Sequence, residues 1–225
     1  MTLAERPDLP AAGAGRRVSC LLLLLVLLAA GVTAALLLRR ARLRFTNRLA
    51  APVQVVLGGG EPRRVAPGET VTLKVPKGGT LVAEWSMVRP LSADGQPMGE
   101  AIAGSLVLRG PTGTIADSAD TVDGETNYFA PLITNATDGP LRVKVNAGLG
   151  GAVDCGCAVR AGGRRVFIGY YRLYGNSTVE ARGPRGTATF RDLGPRVTSR
   201  DGTVGLRYET RDLRPRRRDA GATVR

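Results

Sequence analysis

The sequence predicts an all-β protein, with two tandem small β-sandwich or barrel modules following one N-terminal transmembrane helix. Three observations predict it. Residues 18–38 form an uncharged apolar run, a motif in the rest of the chain returns with identical internal spacing, and the segments around that motif alternate with period two between turn residues.

The run VSCLLLLLVLLAAGVTAALLL spans Val18 to Leu38, between Arg16-Arg17 and Arg39-Arg40. As a helix it would be about 30 Å long at about 1.5 Å per residue, enough to cross a bilayer core. A cleaved signal peptide is the rival reading, but such apolar regions are typically about 7–15 residues. The chain is therefore expected to be a single-pass membrane protein with a short tail at 1–17. Flanking arginines are more numerous after the run than before it, a bias toward a cytoplasmic C-terminal part. Long domains translocate largely regardless of flanking charge, and the soluble part is expected on the exported side.

The repeat begins close behind the run. Thr46-Asn47, four residues, then Pro52-Val53-Gln54-Val55 returns as Thr134-Asn135, four residues, then Pro140-Leu141-Arg142-Val143. Val65-Ala66-Pro67-Gly68 recurs as Val159-Arg160-Ala161-Gly162, and Gly104 to Arg109 as Gly186 to Arg191. Three matches in one order imply duplication. The expected organisation is module one at 39–116, an acidic linker at 117–130, module two at 131–212 and a basic tail at 213–225.

Within module one, Thr70-Val71-Thr72-Leu73-Lys74-Val75 places Val71, Leu73 and Val75 on one strand face. Within module two, Leu141, Val143 and Val145 do the same, with Arg142 and Lys144 opposite. Val166 to Tyr174 is rich in β-branched and aromatic residues. Pro67-Gly68, Gly162-Gly163 and Asp201-Gly202 mark turns. An extended strand, a Pro-Gly turn and an alternating strand resemble the small Ig-like modules of cell-envelope proteins, without a motif that carries a residue role across.

Composition narrows the chemistry. The chain has no histidine among 225 residues, which removes Ser-His-Asp and Cys-His nucleophile systems and the usual zinc hydrolases. No enzyme activity and no cofactor are expected. The formal net charge of +13, from 32 Lys and Arg against 19 Asp and Glu, fits either a GC-rich coding bias or affinity for anionic lipid, polysaccharide or nucleic acid.

Three groups of residues are the candidate sites. Cys155-Gly156-Cys157 would set two sulfurs on one strand face about 7 Å apart, too far for a disulfide unless Gly156 bends the chain. Packing inside module two is the expectation, with a disulfide or a redox or soft-metal pair as alternatives. Asp117, Asp120, Asp123 and Glu125 lie in the join between modules, read as a solvated acidic linker with calcium as the alternative. Arg214, Arg216, Arg217 and Arg218 form a terminal basic cluster suited to anionic headgroups or phosphates. The expected function is non-catalytic binding, scaffolding or assembly at a membrane surface. Membrane lipid, a protein partner and an anionic polymer or headgroups are the expected partners. The alternatives are an Arg-rich anion- or nucleic-acid-binding membrane protein, or an exported thiol-redox or metal protein using Cys155 and Cys157.

Overall fold

The computed structural model describes residues 25–32, 41–76, 79–110, 113–123, 126–149 and 153–215. Nearly all of them are strand, turn or loop. Of the apolar run, residues 25–32 are helical with exposed side chains, and the rest lies outside the described residues. No helix among the described residues is long and apolar enough to cross a membrane. The expected transmembrane helix therefore has no counterpart there.

Module one contains β1 (Arg42–Asn47), β2 (Val53–Leu57), β3 (Arg63–Val65), β4 (Thr70–Lys74), β5 (Thr80–Met87), β6 (Ala103–Arg109) and β7 (Thr114–Ala119). They form a three-stranded sheet in the order β4-β1-β7 and a four-stranded sheet in the order β3-β2-β5-β6. Leu43, Phe45 and Val71 from the first pack with Val53, Val55, Val65, Ala83 and Leu108 from the second in one buried cluster. The module is a sandwich. As the alternation requires, Val71 and Val75 are buried, and Leu73 is half-buried against the same core.

Module two repeats this plan. Its strands are β9 (Thr126–Ala136), β10 (Leu141–Val145), β11 (Val153–Val159), β12 (Val166–Phe167), β13 (Tyr171–Arg172), β14 (Val179–Gly183), β15 (Gly186–Phe190) and β16 (Thr203–Glu209). The four-stranded sheet runs β11-β10-β14-β15, matching β3-β2-β5-β6. In the facing sheet β16 runs parallel to β9 as β7 runs parallel to β1. Two short strands, β12 and β13, do the work of β4. Leu141, Val143 and Val145 are fully buried in the second core. The segment read as a linker, 117–130, holds the end of β7, the two-residue strand β8 (Val122–Asp123) and the start of β9.

One residue fixes each sandwich corner. Asn47 ends β1, with its amide nitrogen donating to the carbonyls of Ala51 at 2.9 Å and Val65 at 3.1 Å. Its Oδ1 accepts the Leu49 N–H at 2.9 Å. Asn135 does the same in β9, donating to Gly139 at 2.9 Å and Val159 at 2.8 Å and accepting Thr137 N–H at 2.9 Å. Their backbones repeat as well: Gly68 N–H donates to Asn47 O at 2.8 Å, and Gly162 N–H to Asn135 O at 2.9 Å. Two of the three sequence matches thus mark equivalent positions. The third lies in the equivalent strands, slipped by two residues. Gly104 stands opposite Trp85, and the corresponding position opposite Ala181 is Ala188.

The modules clasp each other. Where β14 and β15 are joined by Pro184-Arg185, β5 and β6 are joined by residues 88–102. That excursion carries Met98 into the core of module two. In return Tyr170 enters the core of module one. The Tyr170 hydroxyl accepts the Ala50 N–H at 2.7 Å and donates to Asp201 O at 2.6 Å. The backbones cross at Gly99 and Gly169. A Cβ on Gly99, where φ is +75°, would lie 2.8 Å from the Tyr170 backbone nitrogen and oxygen. Glu100 N–H donates to Tyr170 O at 2.8 Å, and the Glu100 carboxylate pairs with Arg172 at 3.3 Å.

Two predictions follow from this packing. Asn135→Ala removes the side-chain donor to the Val159 carbonyl and the acceptor of the buried Thr137 N–H, while Gly139 O keeps the Thr137 hydroxyl, and should cost about 2–4 kcal/mol in denaturant unfolding. Asn135→Asp should lose at least as much at pH 7, since a carboxylate would face those carbonyls, and recover part of it as the carboxyl protonates. An unchanged midpoint for both would remove the corner from its structural role.

The second concerns alkali. Burial pushes the hydroxyls of Tyr170, Tyr171 and Tyr208 well above the ordinary tyrosine value of 10.0. Below about pH 10 a tyrosine keeps its proton in both states. Above it the unfolded chain ionises first, so these groups favour unfolding as pH rises. Stability should be flat up to about pH 10 and fall beyond it. Tyr170→Phe, lacking the ionisable hydroxyl, should show a shallower fall from a lower plateau. A wild-type stability that rises above pH 10 would contradict the assignment.

Candidate functional site

The sequence-singled residues divide sharply once placed. Cys155 and Cys157 are joined in a disulfide, with 5.0 Å between their Cα atoms. An undistorted strand would keep them about 7 Å apart. The difference comes from a bulge. Val143 pairs with Cys157, but the next residue, Lys144, pairs with Asp154, so β11 carries extra residues against β10. Both cysteines are buried in the core of module two. The pair staples the bulge of an edge strand instead of presenting thiols to solvent.

The acidic group does not converge. Asp117 lies within β7, half-buried, in register with Phe45 of β1. Asp120 accepts from Arg48 at 3.1 Å and from the Thr121 N–H at 2.7 Å. The side chains of Asp123 and Glu125 lie outside the described residues. Among the described residues no three His, Cys, Asp or Glu side chains gather as a metal site would require. Asn135, within a glycosylation-type triplet, is the buried corner residue, and Tyr170 and Tyr171 are fully buried.

The basic tail is where placement adds most. Leu213 is buried, which anchors the chain end on module two. Arg214 then forms a two-bond bridge with Thr187 of β15, N–H to O at 3.1 Å one way and 3.0 Å the other. This sets Arg214 alongside the outer face of the β11-β10-β14-β15 sheet. Arg216, Arg217 and Arg218 follow it outside the described residues.

The pairing register aligns a row across that face. Arg142 of β10 stands opposite Arg182 of β14, Arg182 opposite Thr187 of β15, and Thr187 opposite Arg214. Neighbouring members are about 5 Å apart at the backbone, the ordinary strand spacing. The next row holds Lys144, Glu180 and Thr189. These residues and Pro215 line an open cleft of about 660 Å³. Its walls carry four cations against one carboxylate.

A second cleft, of about 740 Å³, lies around Arg191, Arg207 and Arg211. There Glu209 pairs with Arg207 at 3.0 Å and with Arg211 at 2.8 Å, and Arg214 lines this cleft as well as the first. Sequence reading missed the first cleft. Arg142 was legible as an outward residue, but its partner Arg182 lies forty residues on, and only strand register brings them together.

Module one provides a comparison within the same chain. Seven residues after Asn47, where Arg142 follows Asn135, stands Gln54, opposite Ser86 and then Ala103. The same place on the module-one sheet is again a groove, about 470 Å³, lined by Gln54, Val56, Glu84, Ser86 and Ser105 among others. It has no cation. Comparison with family models, with curated proteins and with solved structures finds no match for the chain.

The disulfide is open to a direct check. The chain has three cysteines, so the denatured, unreduced protein should react at Cys20 alone, and reduction in denaturant should expose all three thiols. Alkylation followed by peptide mass analysis distinguishes the two. Labelling of Cys155 or Cys157 in the denatured, unreduced chain would show that the pair is free.

Proposed function

We propose that this protein is a membrane-anchored, non-catalytic binding protein. The apolar run at 18–38 serves as a single-pass anchor, and two clasped β-sandwiches form a rigid body on the exported side. The observation that carries the reading is the divergence of two equivalent surfaces. Corners, cores and pairing repeat between the modules, while the groove on the outer face of the four-stranded sheet is lined by one carboxylate and no cation in module one and by four cations and one carboxylate in module two. A fold duplicated in its interior and varied on one face is suited to presenting different surfaces to different contacts. The placement of the cysteines and of Asp120 in structural bonds supports a binding role over a redox or calcium-dependent one.

The anchor reading rests on the length and composition of the run. β1 begins at Arg42, four residues beyond Leu38, so an anchored chain would hold module one at headgroup level. Full-length protein should sediment with membranes and resist alkaline extraction, and deletion of residues 18–38 should release it. A soluble mature chain beginning near Ala35 would overturn the anchor.

A further inference from the structure

We propose that the row Arg142, Arg182, Thr187 and Arg214 on module two binds the phosphate of an anionic phospholipid headgroup, an inference that rests on the anchored reading above. Like charges directly opposite on one sheet face repel. Arg142 and Arg182 are such a pair, both exposed, and no ion pair links either of them to a described acid. Three other arginines of the module do meet acids: Arg207 and Arg211 share Glu209, and Arg185 meets Asp138. The row is thus a local excess of positive charge that the fold does not need, since Gln54 and Ser86 fill the equivalent positions in module one.

The third arginine is delivered by construction. The Arg214 backbone is held to Thr187 by two hydrogen bonds. Gly186 makes room for it, because a Cβ there would collide with the Arg214 carbonyl. Guanidinium groups offer planar, bidentate donors to phosphate oxygens, and a threonine hydroxyl adds a neutral donor. Glu180 stands in the adjacent row opposite Lys144, where it tempers the field without closing the arginine row.

The lining also favours a headgroup over other polyanions. The cleft is walled by Arg, Lys, Glu, Thr and Pro, with no aromatic ring on which a base or sugar could stack. An anchored chain would be kept at a surface that displays headgroup phosphates.

The test uses the full chain in an uncharged detergent, titrated calorimetrically with glycerophosphoglycerol, the water-soluble headgroup of phosphatidylglycerol, and separately with inorganic phosphate. The expected result is saturable binding of the headgroup, weakened at least tenfold in Arg142→Gln/Arg182→Gln. In the control Arg63→Gln/Arg64→Gln on module one it should be unchanged. Both variants alter exposed side chains, and equal melting temperatures would confirm that each is folded.

Three results would overturn the proposal. One is no saturable binding, and another is equal weakening in both variants, which would make the attraction diffuse. The third is binding of inorganic phosphate alone, which would assign the cleft to a soluble anion. Alkaline extraction of the same wild-type chain separates the two ideas. Headgroup binding by a chain that washes off membranes would sink the anchor alone. Retention without headgroup binding would sink the cleft alone.

Discussion

A single buried asparagine closes each sandwich, and the rest of each module is arranged around it. Asn47 and Asn135 sit where a strand of one sheet ends and the chain crosses to the other. Each spends both amide hydrogens and its Oδ1 on backbone groups, so no polar atom of the side chain is left wanting in an apolar surrounding. The bond to Val65 in module one, and to Val159 in module two, ties the edge strand of the four-stranded sheet to the facing sheet. An unpaired buried polar group would cost about 1–3 kcal/mol, so the arrangement tolerates no other residue easily. Glutamine is too long and aspartate lacks the donors. The side chain thereby sets the distance between sheets before the core is filled.

The clasp builds on those corners. With both sandwiches fixed internally, one elongated connection in module one suffices to join them. Residues 88–102 reach across and lodge Met98 in the second core, while Tyr170 returns the contact. Because two glycines meet at the crossing, the backbones approach too closely for a side chain on either. Tyr170 then works at both ends, its ring in the core of module one and its hydroxyl between Ala50 and Asp201. Relative motion of the modules would break that bridge and expose a large apolar ring.

Much of the fold was legible because it is written locally. Alternation at Thr70 to Val75 and Leu141 to Val145 reports one buried face, and Pro-Gly punctuation reports the turns. The asparagine motif was legible through its fixed spacing, since its bonds reach only four residues forward and then to a single strand. The slip of the third match has an equally local cause. A shift of two residues preserves the face of a strand, so alternation cannot detect it. The clasp, the bulge at Cys155 and the arginine row were not legible, because each is a relation between residues far apart in sequence. The bulge in particular depends on how many residues of β11 face two of β10, which only pairing decides.

Duplication supplies an internal control for what the fold requires. Positions that must be filled alike are filled alike in both modules: the corner asparagine, the glycine that bonds to it, and the inward residues of the central strands. Gln54, Ser86 and Ala103 show that these three positions on the outer row of the four-stranded sheet can be neutral without loss of the sandwich, Arg64 being the row's one cation in module one. The same row in module two carries two opposed arginines, and a docked chain end adds a third. Cross-strand repulsion works against folding, modestly at an exposed surface in salt. Neither packing nor pairing accounts for that arrangement, since the sister module does without it. The charge is best understood as directed outward, toward something anionic that the folded chain meets.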